Sequence, residues 1–262
     1  MVFVALLLAL VVGAVLGIIG SGGSILTVPI LVYFLDLNAI SATSYSLFIV
    51  GVSALFGVHR FYNSSLINYR LTFFFGFPSI IGVLLSRKLI IPNLPSTINF
   101  FQFFSFTKDE LILLIFGLVM LVSALSMLFS SKLKINNKIM RKNIPFLIIV
   151  DGIIIGIITG FVGAGGGFLI VPALMLLTNI RVKEAIGTSL AIISIKSILG
   201  FISEINNVVD WNFLLIFTSF SIVGVILGTR FSILINSNVL KKSFGIFVLF
   251  LAITIIIKEM VI

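Results

Sequence analysis

The chain has 262 residues, of which 60% are hydrophobic and 10% charged, with a mean hydropathy of +1.34 and a net charge of +9. A soluble domain carries roughly 25% charged residues, so this chain uses lipid as its solvent. One histidine and no cysteine exclude disulfides, thiolate metal sites, a cysteine nucleophile and a histidine-rich metal centre, and no cofactor is expected. The positive balance fits the Lys and Arg that collect in cytoplasmic loops, so nucleic acid is not an expected partner.

Apolar runs long enough to span a bilayer as helices recur throughout. The short alternating segments of a β-barrel do not. The expected fold is an all-α polytopic membrane protein, with every backbone hydrogen bond satisfied inside its helices. No Lys or Arg precedes Arg60, so the first segment does not read as a cleaved leader.

Segment one runs over 2–35 and is interrupted by GSGG at Gly20–Gly23. Segment two covers 39–58 and segment three 71–85, the latter closed by Arg87 and Lys88. The stretch 91–106 holds two prolines and several phenylalanines, which suggests an interfacial excursion rather than a straight span. Segment four covers 111–129. A basic linker follows, with Lys132, Lys134, Lys138, Arg141 and Lys142. Segment five, 144–177, is interrupted by GAGGG at Gly163–Gly167; segments six, seven and eight cover 185–203, 211–234 and 244–257.

The two broken segments are copies. GIIGSGGSILTVP begins at Gly17 and GFVGAGGGFLIVP at Gly160, a constant offset of 143 positions through to Pro29 and Pro172. Ser46-Leu47 matches Ser189-Leu190 at the same offset, and Gly57 matches Gly200. The chain therefore reads as a first repeat over 1–130, a basic cytoplasmic linker over 131–143 and a second repeat over 144–262, forming one transmembrane domain.

Segment one would measure about 51 Å as a straight helix, against a hydrocarbon core of about 30 Å. It is either a kinked crossing or a re-entrant hairpin. If all eight segments cross, the Lys and Arg residues outside segment six divide 8 against 8. If segments one and five are hairpins, they divide 12 against 4, with Arg87, Lys88, Lys108 and Lys258 on the poorer side. Because short-loop charge bias sets orientation, the hairpin arrangement is favoured. It inverts one half relative to the other and puts both termini outside and the linker inside.

Glycine breaks in membrane helices expose N–H groups and start new half-helices, whose positive dipole ends attract anions. The competing explanation is close packing of helices through small residues. Duplication of the motif favours a site. The two breaks are expected to face each other across one anion pocket, built from Gly20, Ser21, Gly22, Gly23 and Ser24 on one side and Gly163, Gly165, Gly166 and Gly167 on the other. Lys196 lies inside segment six, about two turns after Ser189. A charge there faces a cavity or a partner, and an ammonium suits an anionic substrate. Ser44, Ser46, Thr188 and Ser189, with Thr43, either line the pocket or cap helix starts. Asp151, Glu204, Asp210 and His59-Arg60 read as interfacial or solvated groups.

The pattern G-x-x-G-x-G-G-[GS]-x-x-x-x-P in both halves precedes Ala42-Thr43-Ser44 with Ser46-Leu47 in one and Gly187-Thr188-Ser189-Leu190 in the other. In these motifs the chain resembles the sulfite exporter TauE/SafE family of membrane transporters over its whole length. Ser24, where the second copy has Gly167, is a departure. The resemblance implies export of sulfite, sulfoacetate or a related organosulfur anion across the plasma membrane.

No nucleotide-binding loop and no nucleophile elbow occurs. The reading is a secondary transporter for a small anionic substrate, not an enzyme, with the lipid bilayer as partner and a homodimer left open. An anion channel, an uptake permease and a membrane assembly factor are the rivals.

Overall fold

The protein is described by a computed structural model over residues 2–20, 23–95, 97–100, 104–129, 144–178, 180–204, 209–234 and 237–261. Ser21 and Gly22, and nearly the whole basic linker, lie outside these residues, and the side chain of Ser24 is likewise not described. Among the described residues ten helices of more than a single turn form the bundle: α1 Val2–Ile19, α2 Gly23–Tyr33, α3 Ala39–Asn63, α4 Tyr69–Leu85, α5 Lys108–Phe129, α6 Ile144–Val162, α7 Gly167–Thr178, α8 Val182–Ile202, α9 Trp211–Leu234 and α10 Ser237–Val261. Helix α4 continues through a π-helical turn, Ser86–Ile90, to Asn93. Among the described residues six helices are long and apolar enough to cross a membrane: α3, α4 with its extension, α5, α6, α8 and α9.

The interfacial excursion after α4 is a small β-hairpin. Strand β1, Thr97–Phe100, pairs antiparallel with β2, Phe104–Thr107, in the register Thr97 to Thr107.

Glycine contacts fix the helix directions. Gly51 and Gly57 of α3 meet Ile198 and Leu190 of α8, so these two central helices are antiparallel. Gly13 and Gly17 place α1 parallel to α9, against Ser221 and Val225. Gly152, Gly156 and Gly160 place α6 parallel to α4, against Phe75, Ser79 and Val83. Without a hydrophobic drive between helices in lipid, such small-residue seams let backbones approach closely. Helices α5 and α10 are antiparallel, with Gly117 on Ile256 and Gly245 on Leu128.

Both broken segments are hairpins. Gly23, the first residue of α2, lies against Val12 and Leu16, so α2 doubles back along α1. Gly166 lies against Thr159, so the chain entering α7 doubles back along α6. At 11 and 12 residues, α2 and α7 are about 16 and 18 Å long, half a bilayer. Helix α1 starts, and α2 ends, at the end of the bundle where α3 begins and α10 finishes; there the Tyr33 hydroxyl donates to Glu259 Oε1 at 2.6 Å. This is the terminal end. Helix α6 starts, and α7 ends, at the opposite, linker end, where α8 begins and α5 stops. The charges follow: Arg60, Arg70, Arg181, Lys183 and Arg230 belong to the linker end, and Arg87, Lys88, Lys108 and Lys258 to the terminal end.

Candidate functional site

Lys196 sits on the buried seam of α8, 1% exposed. Its Nζ donates to Thr159 Oγ1 of α6 at 2.8 Å. It forms no ion pair among the described residues. Gly166 covers it: a β-carbon there would overlap Thr159 and lie 3.0 Å from the ammonium. Gly165 lies beside Ser197 and Ile193 of α8 and Val50 of α3. At the start of α7 the Leu169 and Ile170 amides donate to the Gly166 carbonyl at 3.0 and 3.1 Å, which leaves the amides of Gly167 and Phe168 as the donors, with the positive dipole end, that the helix start brings toward the same region. An uncompensated ammonium in a membrane interior is strongly unfavourable on its own. Its surroundings are hydroxyls, amide donors and glycine backbone, with no carboxylate, which is a setting for an anion.

A second charged cluster lies nearer the terminal end. Arg87, in the π-helical turn, is 1% exposed. Its Nη1 donates to Glu204 Oε2 at 2.9 Å, Thr43 Oγ1 at 3.2 Å and Ser44 Oγ at 3.3 Å. The Ser44 hydroxyl also donates to Glu204. Gly163, the tip of the second hairpin, lies over this cluster with φ +70. A side chain there would overlap Thr43 and press on Arg87 Nη2, so only glycine fits.

Buried polar groups are normally hydrogen-bonded. Among the described residues the buried side-chain atoms without a partner are Arg87 Nε and Nη2 and the hydroxyls of Ser46, Ser86 and Ser197. Arg87 and Ser197 face the second hairpin at Gly163 and Gly165, and Ser86 packs against Gly160 of α6. Unmet donors therefore collect around one hairpin.

The first hairpin is different. Gly20 lies on Ile186, and the Ser189 hydroxyl donates to the Gly20 carbonyl at 2.9 Å and to Ile186 O at 2.8 Å. Gly23 packs on Val12 and Leu16. Ser53, which matches Lys196 in the repeat, donates to Ser221 at 3.0 Å.

The expected meeting of the two glycine bends across one pocket is not what the structure has. Gly20 meets α8 at residues 186 and 189, whereas Gly165 and Gly166 meet it at 193 to 197, about 10 Å further along at 1.5 Å per residue. The reason is direction: α1 and α6 run oppositely, so each hairpin tip approaches the other's starting end. The structure does bring Gly166 to Lys196 and Gly165 to the neighbouring Ser197, and it sets Gly163 on Thr43 and Arg87. It sets Gly20 and Ser189 apart from them. The hydroxyls do not cap helices: Asn38 and Asn68 cap α3 and α4, and Thr188 Oγ1 instead accepts from the Asn68 amide at 3.0 Å. Glu204, expected to be solvated, is paired with Arg87, and Arg87, expected as an end-of-helix charge, is buried.

Two cavities open at the bundle ends. One of about 600 Å³ at the linker end is lined by His59, Arg60, Asn63 and Arg230 with Leu55 and Phe56. One of about 390 Å³ at the terminal end is lined by Asn38, Ser44, Tyr45, Asp109 and Glu204.

The model of the sulfite exporter TauE/SafE family matches residues 5–255. The chain belongs to that family. It is 29% identical over 258 residues to a "Probable membrane transporter protein" of Xylella fastidiosa (strain 9a5c), covering 94% of this chain and 91% of that one. It is 29% identical to the probable membrane transporter protein MJ0441 of Methanocaldococcus jannaschii, over 75% of this chain and 71% of that one. It is 28% identical to the probable membrane transporter protein YjnA of Bacillus subtilis (strain 168), over 87% and 89%. No solved structure matches the chain. Family and relatives alike make this TauE/SafE member a multi-pass membrane transporter.

Proposed function

We propose that the protein is a secondary transporter that exports a small oxyanion, of the sulfite or organosulfonate type, across the plasma membrane. The observation that carries this reading is Lys196: a buried ammonium at mid-bundle with no carboxylate beside it and glycine backbone folded over it. A tetrahedral or pyramidal oxyanion would take a charge-assisted bond from Lys196 Nζ and others from the Thr159 and Ser197 hydroxyls and the first amides of α7. The family's description as sulfite exporters supports the substrate class.

The two halves, 1–130 and 144–262, act as an inverted repeat, with the basic linker 131–143 on the cytoplasmic side. The basic cavity with Arg60 and Arg230 is the cytoplasmic entrance, and the smaller cavity at Glu204 is the exit. Rocking of one hairpin-bearing half against the other exposes Lys196 to each in turn.

The test uses purified protein in liposomes, loaded with sulfite, sulfoacetate, sulfate or chloride under imposed pH and voltage gradients. Saturable exchange of an oxyanion that is lost in Lys196→Met is the expected result. Movement of none of these anions, or flux unchanged by Lys196→Met, refutes the reading; unitary conductance in place of exchange makes it a channel. Labels on the two termini should report from outside the cell; a cytoplasmic C-terminus would overturn the orientation.

A further inference from the structure

Arg87 is unused by the site at Lys196, about 12 Å away along α8 from position 196 to 204, yet it is the other fully buried cation. Resting on the transport reading, we infer that Arg87 is a second oxyanion subsite, on the exit path, and that Glu204 is the tethered carboxylate that occupies it when no substrate is there.

Four observations carry this. Arg87 spends one nitrogen, Nη1, on Thr43, Ser44 and Glu204, while Nε and Nη2 have no partner although both are buried. A guanidinium presents a planar fork of donors suited to a second acceptor oxygen. Its unmet Nη2 points at the bend of Gly163, where no side chain could fit. The turn holding Arg87 is π-helical, a feature that concentrates at functional sites.

The fourth is the unequal anchoring of the pair. Arg87 is locked between α3, α4 and the second hairpin. Glu204 lies just past the last residue of α8, its side chain is 11% exposed, and it lines the 390 Å³ cavity. The carboxylate is the partner with somewhere to go. A buried guanidinium left alone is strongly disfavoured, so the carboxylate leaves only as another anion arrives. Exchange of Glu204 for a sulfonate or sulfite oxygen keeps the charge balanced at each moment, with the Ser44 hydroxyl, which donates to Glu204, free to donate to either occupant. The exit then opens to a small oxyanion that sets one oxygen on Nη1 in place of the carboxylate and a second on the unmet Nη2, a two-point fit that the single centre of chloride does not reproduce.

The experiment uses the full chain in liposomes, with methanesulfonate as the probe and chloride at equal ionic strength as the control. Phenylglyoxal modification of Arg87 is followed by mass spectrometry in the wild type and in Glu204→Gln. The inference expects modification several-fold faster in Glu204→Gln, slowed saturably by methanesulfonate and not by chloride. Equal rates in the two proteins, or rates indifferent to methanesulfonate, overturn it. Because Glu204→Gln leaves the guanidinium without a counter-charge, a second measurement avoids that variant. The chain has no cysteine, so Ser44→Cys carries a unique thiol beside Glu204, whose alkylation by iodoacetamide should be slowed by methanesulfonate; an unaffected rate counts against the subsite. If the wild type moves no anion across the bilayer, the transport reading fails, and these labelling rates still decide whether Arg87 binds one.

Discussion

The two hairpins share a glycine pattern and matched contacts, Gly20 on Ile186 as Gly163 on Thr43 and Gly23 on Leu16 as Gly166 on Thr159, and differ in the polarity of what those contacts present. The bend of the first rests on Ile186, and its carbonyl is met by Ser189. The bend of the second rests on Thr43, Arg87, Ser197 and Lys196, and most of the buried unmet donors gather there. The lesson is that the motif supplies shape, a chain reversal inside the membrane, while the helices behind it supply chemistry. On the proposed reading, the second half would carry the ligand and the first would support it. The same substitution made in both halves should therefore give different results.

The largest contrast is expected at the matched positions Lys196 and Ser53. Lys196→Met should bring oxyanion exchange to background. The same change should raise the thermal midpoint in detergent, because a buried uncompensated charge costs several kcal/mol, by roughly 3–5 kcal/mol where a partner has been removed. Ser53→Ala removes one hydroxyl pair, worth about 1 kcal/mol, and should leave exchange intact. Loss of function together with loss of stability in Lys196→Met would make the lysine a structural group and erase the distinction between the halves.

Next in size are the bends. Gly20 and Gly163 share a φ of +70, so alanine at either adds about 1–2 kcal/mol of left-handed strain. At Gly20 the nearest obstacle is the Cγ2 methyl of Ile186, with its backbone behind, and truncating that side chain removes the methyl; at Gly163 it is the Cα and Cβ of Thr43 and the guanidinium, which no such truncation clears. Gly163→Ala should therefore cost about 1–3 kcal/mol more by overpacking and abolish exchange. Gly20→Ala should be partly rescued by Ile186→Ala. Equal destabilisation in thermal melts would show the bends to be interchangeable.

An intermediate effect is expected where Lys196 is held. Thr159→Val keeps the shape and removes the acceptor of the 2.8 Å bond, leaving an ammonium hydrogen unmet at about 1–3 kcal/mol. An incoming oxyanion supplies the missing acceptor, so substrate should stabilise Thr159→Val more than it stabilises the wild type in a thermal shift. Thr159→Ser should behave as the wild type.

Much of the fold could be read from the residues alone. Segment seven, 211–234, coincides with α9, and the glycine breaks at 20–23 and 163–167 coincide with the two reversals. The hairpin form followed from a charge count, because only reversed segments put most Lys and Arg at one end. Lys196 was legible because a lone charge in an apolar run has few innocent explanations. Arg87 and Glu204 were not. Each stands at the edge of an apolar run, where charges are ordinarily solvated, and what buries them is contact between residues 117 positions apart. The opposed placement of the bends was missed for a related reason. A constant offset states that two stretches are alike, and it is silent on their directions in space.

The smallest expected effects make the finest test, since they fall on two serines of the same helix. Ser189 is fully bonded, to Gly20 and Ile186 carbonyls. Ser197, just over two turns on, is buried with no partner beside Gly165. Ser189→Ala should lower stability by about 1 kcal/mol, the net worth of an ordinary hydrogen bond, and leave the affinity for oxyanion unchanged. Ser197→Ala should leave stability unchanged or raise it slightly, since an unmet buried hydroxyl is removed, and should weaken oxyanion binding by about tenfold, the equivalent of about 1.4 kcal/mol. Measured as thermal midpoint against half-saturation for exchange, the two variants should move along different axes. A shift of both along the stability axis would mean that Ser197 is satisfied by something other than substrate, and that the second hairpin is as fully packed as the first.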